Sequence, residues 1–502
     1  MKLTVLDEPP LEFAHGTHHR DPRHGLDFYG PADIEETKVR AIRVGLVGPQ
    51  ASIDGVKRWL DRCRTPIAAK QSHLGSLYLP FPGFDTDRAF RSTIVWNSRL
   101  ERPISRNDLE ALQGLNPLKA AAAAVELYDR ELQVLHEEPN CDVVIVCRPD
   151  DLVDTGIAAP ARSAKGGASP GTAAQDARGQ RGGADRTNAA ARHPTRLPPG
   201  HGDFHSLLKA KSLRYTQPIQ IIRRSTWDPT FKEPKDSEPR PRQDEATSAW
   251  NLHTALYYKA GGVPWRLPRD PQDLASCYVG VSFYATSDGE SLESSVAQVF
   301  NQRGDGMIVR GGAASVAKFD RQPHLDEDGA HALLHDALGK YRTEHRQSPA
   351  RVVLHKTSSF TGAEADGFRA AAAEHQIDIV ELIWLTIDRI RLFRRGKQPP
   401  LRGTLLSLDQ DRHVLYTRGS VPLYKTYPGM YVPQPLGIRL HSTEAAPEDL
   451  ALEILALTKM NWNATQMDGR SPITIRTAEK VGEILRHIGP DDSPASRYAF
   501  YM

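Results

Sequence analysis

The most constraining stretch of the chain is Tyr257-Tyr258-Lys259-Ala260-Gly261-Gly262-Val263-Pro264-Trp265, which ends a helical pattern and leads to an apolar run of buried-strand type at 275–285. Two glycines and a proline in close succession stop a helix and turn the chain. The 502 residues therefore divide into two parts, 1–265 and 266–502, each long enough to bury its own core.

Both parts read as α/β. Residues 39–47 (Val-Arg-Ala-Ile-Arg-Val-Gly-Leu-Val) alternate apolar and polar residues and stop at Gly48-Pro49, as a strand does before a turn. Helical spacing follows at 53–63 and over the Ala-rich 118–136, and 142–147 is a short apolar run with three valines, suited to a strand covered on both faces. Composition then shifts. Residues 156–200 are rich in Ala, Gly, Arg, Pro and Ser, and Ile157 and Leu197 are their only large aliphatic side chains. Such a segment buries too little apolar surface to offset the entropy of ordering, so a flexible insertion is expected there. A helix at 204–211, a strand at 219–224 and a helix at 245–258 complete the first part.

In the second part, strands near 295–301 and 307–310 flank Gly304-Asp305-Gly306, a hairpin signal. A helix at 327–345, a strand at 351–355, a helix at 364–375 and a strand at 377–385 follow. Three antiparallel strands and then helix, strand, helix, strand is the order of an RNase H-like core.

Lysine and arginine (64) nearly balance aspartate and glutamate (62), giving a formal charge of +2, so a nucleic-acid surface has to be a local patch. No apolar run reaches 18 residues, and the acidic, proline-containing start is unlike a signal peptide. Cys63, Cys141, Cys147 and Cys277 form no CxxC pair and sit in apolar patterns, as reduced core thiols of a cytoplasmic protein do. His15, His18, His19 and His24 cluster without Cys or carboxylate spacing that supports a metal, and are read as surface.

His205 and Lys209 lie four residues apart on the 204–211 helix and share a face. Gln220 opens the next strand in Gln220-Ile221-Ile222, and Lys259 precedes Gly261-Gly262. Singly, Lys209 beside Lys211 describes a solvated helix face and His205 a structural residue. In this order, and with the 257–265 junction, they resemble the guide-end pocket of Argonaute proteins. The resemblance implies a Rossmann-like MID domain over 1–265, carrying the 156–200 insertion, followed by an RNase H-like PIWI domain over 266–502. It makes His205, Lys209, Gln220 and Lys259 binders of a guide 5′ phosphate; His205 stands where the family most often has Tyr, and Gln217 competes with Gln220 for the amide role. A terminal phosphate carries about −1.5 to −2 charge and several acceptor oxygens, which ammonium groups and a directional amide suit. The resemblance also implies Mg²⁺ at the 5′ phosphate, with the Met502 carboxylate as a ligand at the end of an apolar Tyr498-Ala499-Phe500-Tyr501-Met502 tail.

Cutting members of the family need carboxylates that hold two Mg²⁺ ions about 4 Å apart. The first falls at Ser282 in Gly280-Val281-Ser282, the second at Thr357 after Val352-Val353-Leu354-His355-Lys356, and the last at Glu479 after Ser471-Pro472. Hydroxyls replace hard carboxylate ligands poorly, so no nuclease activity is expected.

The segment before Val39 is too short for N-terminal and PAZ domains, and Gly25-Leu26-Asp27-Phe28-Tyr29-Gly30-Pro31 and Leu79-Pro80-Phe81-Pro82-Gly83-Phe84 resemble short prokaryotic Argonautes. What that implies is a guide-binding subunit of a heterodimer. Its partner carries an APAZ region and a sirtuin-like, TIR or nuclease effector, a 5′-phosphorylated guide RNA pairs with single-stranded target DNA, and recognition activates the effector in prokaryotic immunity. Arg389, Arg391, Arg394, Arg395 and Lys397, with Phe393, form a basic run that serves either as a solvated loop or as a contact to the guide–target backbone. Two other readings stay open: a guided nuclease using displaced carboxylates such as Asp288 or Glu479, and an interaction module on a degenerate RNase H-like core.

Overall fold

The computed structural model describes residues 1–35, 41–138, 140–149, 203–231, 243–268, 274–286, 291–300, 306–395, 399–429, 432–489, 492 and 495–502. The 156–200 insertion, Asp288 and Lys397 lie outside the described residues. Among the described residues no helix is long and apolar enough to cross a membrane.

The first sheet places Thr93–Val95, Ala41–Gly48, Val143–Cys147 and Ile219–Ile222 side by side, with Glu101–Pro103 also against Ala41–Gly48, and every pairing is parallel. Parallel neighbours need crossover connections, and the helices Gln50–Arg62, Pro117–His136 and Phe204–Ser212 lie in them. Val143–Cys147 is buried at all five residues, as its unbroken apolar run requires. One core forms around Tyr128, Leu132, Phe204 and Leu208, another around Ile53, Trp59, Phe81 and Trp250. This is the expected Rossmann-like arrangement.

Among the described residues the second sheet has ten strands. Ser276–Ala285, Leu292–Phe300 and Gly306–Val316 run antiparallel to one another, while Arg351–Lys356 lies parallel between Ser276–Ala285 and Ile379–Ile387. Helices Glu327–His345 and Gly362–Glu374 cover one face through Leu333, Leu334 and Phe368, and Ile473–Leu485 covers the other through Ile473 and Ile475. The RNase H-like order holds. Gly362–Glu374 starts two residues ahead of the expected 364 because Thr361 and Glu364 form a reciprocal capping box.

The sheet extends beyond that core through Leu436–Ser442, Arg412–Leu415 and Thr404–Ser407 to an outer strand at Lys2–Val5, paired Lys2↔Ser407 and Val5↔Thr404. The first residues of the chain thus lie with the second sheet. Glu8 fixes them there: it accepts from Arg402 at 2.7 Å and pairs with Lys459 at 3.0 Å, all three side chains largely buried.

The junction is built as its sequence demands. Lys259 closes the Glu245–Lys259 helix, Gly261 has φ +96°, and a Cβ on Gly262 would come within 2.3 Å of the Tyr257 ring. Tyr257 Oη and the Val263 amide both donate to Asp33, at 2.8 and 2.9 Å. Trp265 is fully buried, its Nε1 donating to the Lys459 carbonyl at 3.1 Å while Trp462 Nε1 donates to the Trp265 carbonyl at 3.2 Å. Trp265→Ala is expected to destabilise the chain by about 3–5 kcal/mol, measured by urea unfolding; a loss under 1 kcal/mol would show that this indole does not bind the two halves.

Candidate functional site

Asp203 caps the Phe204–Ser212 helix by accepting from the Ser206 amide at 2.7 Å, and Phe204 and Leu208 anchor the helix in the core. Lys209, one residue past Leu208, is carried inward with 0% exposure. Its ammonium donates to the Ile219 carbonyl at 2.6 Å and the Phe500 carbonyl at 3.2 Å. Lys259, 2% exposed, reaches the same Ile219 carbonyl at 2.9 Å, Gln220 Oε1 at 2.6 Å and the main-chain oxygen of Met502 at 3.0 Å. The structure therefore gathers Lys209, Gln220, Lys259 and Met502 at one point. Gln217 lies elsewhere, its Oε1 against His136.

The electrostatics are unusual for a folded interior. Among the described residues neither ammonium has an Asp or Glu partner; the anionic group facing the pair is the Met502 carboxylate, 3.0 Å from Lys259, and it offsets one of the two charges. Burial pushes Lys209 down to about 7, and burial together with the neighbouring Lys209 charge drives Lys259 well below its ordinary value. His205 keeps solvent access one helical turn before Lys209, yet protein crowds it. Lost hydration first, and then Lys209, hold its imidazole down to about 4. Lys480, on the Ile473–Leu485 helix, adds to the positive field at His205. The sequence reading did not single out Lys480, because nothing in its spacing ties it to residue 205. Nor can any side-chain pattern reveal that the shared acceptor is a backbone carbonyl.

Mg²⁺ fits this donor set poorly. Gln220 Oε1 and the Met502 oxygen already accept from Lys259. A hard cation also prefers several carboxylates, and the Met502 carboxylate offered here already faces Lys259.

At the second group of positions, Ser282 and Thr357 belong to the adjacent strands Ser276–Ala285 and Arg351–Lys356, Thr357 one residue beyond the latter, with its amide donating to the Val281 carbonyl at 3.2 Å. Their neighbours of the same parity face the Ile473–Leu485 helix: a Cβ on Gly280 would strike the Thr474 carbonyl, and His355 Nδ1 meets Thr474 Oγ1 at 2.9 Å. Glu479 lies on that helix, accessible but crowded, and loss of hydration raises its carboxyl above the usual range. On the opposite face Lys356 is buried in an ion pair with Glu364 and donates to the Ser359 carbonyl at 2.7 Å.

In the basic run Arg389, Arg391 and Arg395 are exposed, Arg394 is half-buried and donates to the Pro399 carbonyl at 3.3 Å, and Phe393 is 71% exposed. Arg391 donates to the Asp388 and Ile390 carbonyls.

Neither a protein-family model nor a curated protein matches the chain. Solved structures do. The chain is similar to Clostridium butyricum Argonaute, solved with a guide DNA and a 19-mer target DNA, at 14% identity and a TM-score of 0.57, over 97% of this chain and 53% of that one. It is similar to A. aeolicus Argonaute at 15% identity and 0.54, over 97% and 53%, and to Drosophila Piwi at 12% and 0.56, over 99% and 56%. The chain thus has the fold of Argonaute and Piwi proteins and spans about half the length of those structures.

A buried ammonium without a counter-charge is costly, and an apolar side chain of similar volume removes that cost. Lys209→Met is therefore expected to stabilise the unliganded chain by about 1–4 kcal/mol, read from urea unfolding. A destabilisation of that size would mean that the lysine serves the fold.

Proposed function

We propose that the chain binds the 5′-phosphorylated end of a guide strand at Lys209, Lys259, Gln220 and His205 and senses a paired target without cutting it. One observation carries the reading: two buried ammonium groups converge on one carbonyl with no acidic side chain to pair them. A terminal phosphate provides the missing charge and enough acceptor oxygens for both, and the two lysines neutralise it without a metal ion. Lys480 extends the positive field toward solvent, where the strand leaves the pocket, and the neutral His205 imidazole offers a hydrogen-bonding edge beside it. Arg389, Arg391, Arg394, Arg395 and Phe393 suit sequence-independent contact with a sugar–phosphate backbone. Lys397 belongs to the same run in sequence.

Absence of cutting is part of the proposal. It is supported by hydroxyls at Ser282 and Thr357, where divalent ions would need carboxylates. A partner bearing an APAZ region and an effector completes the reading, and rests on the likeness of 25–31 and 79–84 to short prokaryotic Argonautes.

The test compares one short RNA with a 5′ phosphate against the same RNA with a 5′ hydroxyl. The phosphorylated strand is expected to bind more tightly. Lys209→Ala with Lys259→Ala is expected to remove roughly 10- to 100-fold of that affinity, in line with about 1.5–3 kcal/mol for hydrogen bonds to charged groups. Equal loss for both strands would refute the pocket. With Mg²⁺ and a matched target, the target is expected to remain intact; cutting that Glu479→Ala abolishes would establish a guided nuclease instead.

A further inference from the structure

On the face of the second sheet away from Ser282, the helices Glu327–His345 and Gly362–Glu374 pack together. His331 and His335 are four residues apart on the first and therefore stack, with ring centroids 5.7 Å apart and nearly parallel planes. Glu374, the last residue of the second helix, reaches both: His331 Nε2 lies 3.1 Å from one carboxylate oxygen and His335 Nδ1 3.0 Å from the other. All three ligand atoms lie within 4.8 Å of one another.

The two imidazole–carboxylate separations are close to the roughly 3.3 Å between ligand atoms around a tetrahedral ion with bonds of about 2.0–2.1 Å. Two imidazoles and a carboxylate are the ligand type of zinc and its neighbours, not of Mg²⁺ or Ca²⁺. Two further observations point the same way. His375, the next residue, has its ring 4.8 Å from His335, and its Nε2 is buried without a hydrogen-bond partner among the described residues. Glu374 is also the last residue of its helix, and the free carbonyls of a helix C-terminus favour a cation. A hollow of about 550 Å³ lined by Arg342, Arg346, Glu374, His375 and Gln376 adjoins Glu374.

We propose that His331, His335 and Glu374 bind one first-row divalent cation of the zinc class, clamping the two helices together. The three ligands leave the fourth position open to water. His375 acts as the neighbouring imidazole that orients His335 or replaces that water. The site lies apart from the lysine pair and does not depend on the nucleic-acid reading.

Zn²⁺ is titrated into the full-length, metal-stripped chain against a chromophoric chelator, with Co²⁺ absorption as a second readout of ligand geometry. One equivalent is expected. His331→Ala and His335→Ala should each weaken it at least roughly tenfold, the loss that even outer-sphere changes produce, and Zn²⁺ should raise the thermal midpoint of the wild-type chain but of neither variant. His18→Ala with His19→Ala serves as a control that keeps the site; the four cysteines are buried and do not compete. No Zn²⁺ uptake by the wild-type chain, or uptake that survives both single variants, overturns the proposal. The side chains are partly exposed, so folding of the variants is readily checked from their unchanged midpoint without metal.

Discussion

Lys209 and Lys259 approach the same acceptor, the Ile219 carbonyl, at 2.6 and 2.9 Å, inside protein that leaves them 0% and 2% exposed. Like charges at that range repel, and burial strips both of water, so each ammonium is held with a depressed proton affinity. Folding tolerates this because five backbone or amide contacts orient the pair. The arrangement stores unmet demand for an anion, and its geometry fixes where that anion goes.

The two sheets meet around this pair. Lys209 comes from the Phe204–Ser212 helix, Ile219 from the parallel sheet and Lys259 from the helix that ends the first part of the chain. Phe500 and Met502 return from the far end after the Ile473–Leu485 helix, alongside Tyr498, whose ring lies 6.2 Å from Tyr258. The site therefore forms only when the tail docks against the junction. The Trp265–Lys459 and Trp462–Trp265 hydrogen bonds hold that docking in register. The Asp33 carboxylate does the same for the turn by receiving both Tyr257 and Val263. Stability of the junction and shape of the pocket are consequently one problem.

Much of this was legible in the sequence because it depends on periodicity and on residues whose chemistry is local. A short apolar run marked the buried strand at 142–147, a strand was legible at 351–355 and a helix at 327–345, and Gly261-Gly262 marked a turn that needs positive φ and a close approach to Tyr257. His205, Lys209, Gln220 and Lys259 were singled out because their order resembles an Argonaute pocket, and the structure draws the two lysines and the amide together. What escaped depends on long-range pairing. Lys2–Val5 is too short and too polar to announce a sheet partner four hundred residues away. The strands at 404–407, 412–415 and 436–442 are interrupted by turn residues that dilute any alternation. The His331–His335–Glu374 group needs two helices packed side by side before its third member joins the other two.

The most direct test of the lysine pair is proton uptake on binding. Calorimetry at pH 8, in two buffers of different ionisation enthalpy, measures it for a 5′-phosphorylated RNA, whose phosphate is already dianionic there. Lys209 titrates at about 7 when the site is free, and a bound phosphate raises it, so protons enter as the strand binds. By the same linkage, affinity falls as pH rises above about 7, and below about 6 protonation of the phosphate itself weakens binding, so affinity is greatest between the two. The result expected is net uptake for the phosphorylated strand and none for the 5′-hydroxyl strand or the Lys209→Met, Lys259→Met chain. Binding of the phosphorylated strand with no proton uptake would show that the two ammonium groups are already charged and satisfied, and that the phosphate is not what they await.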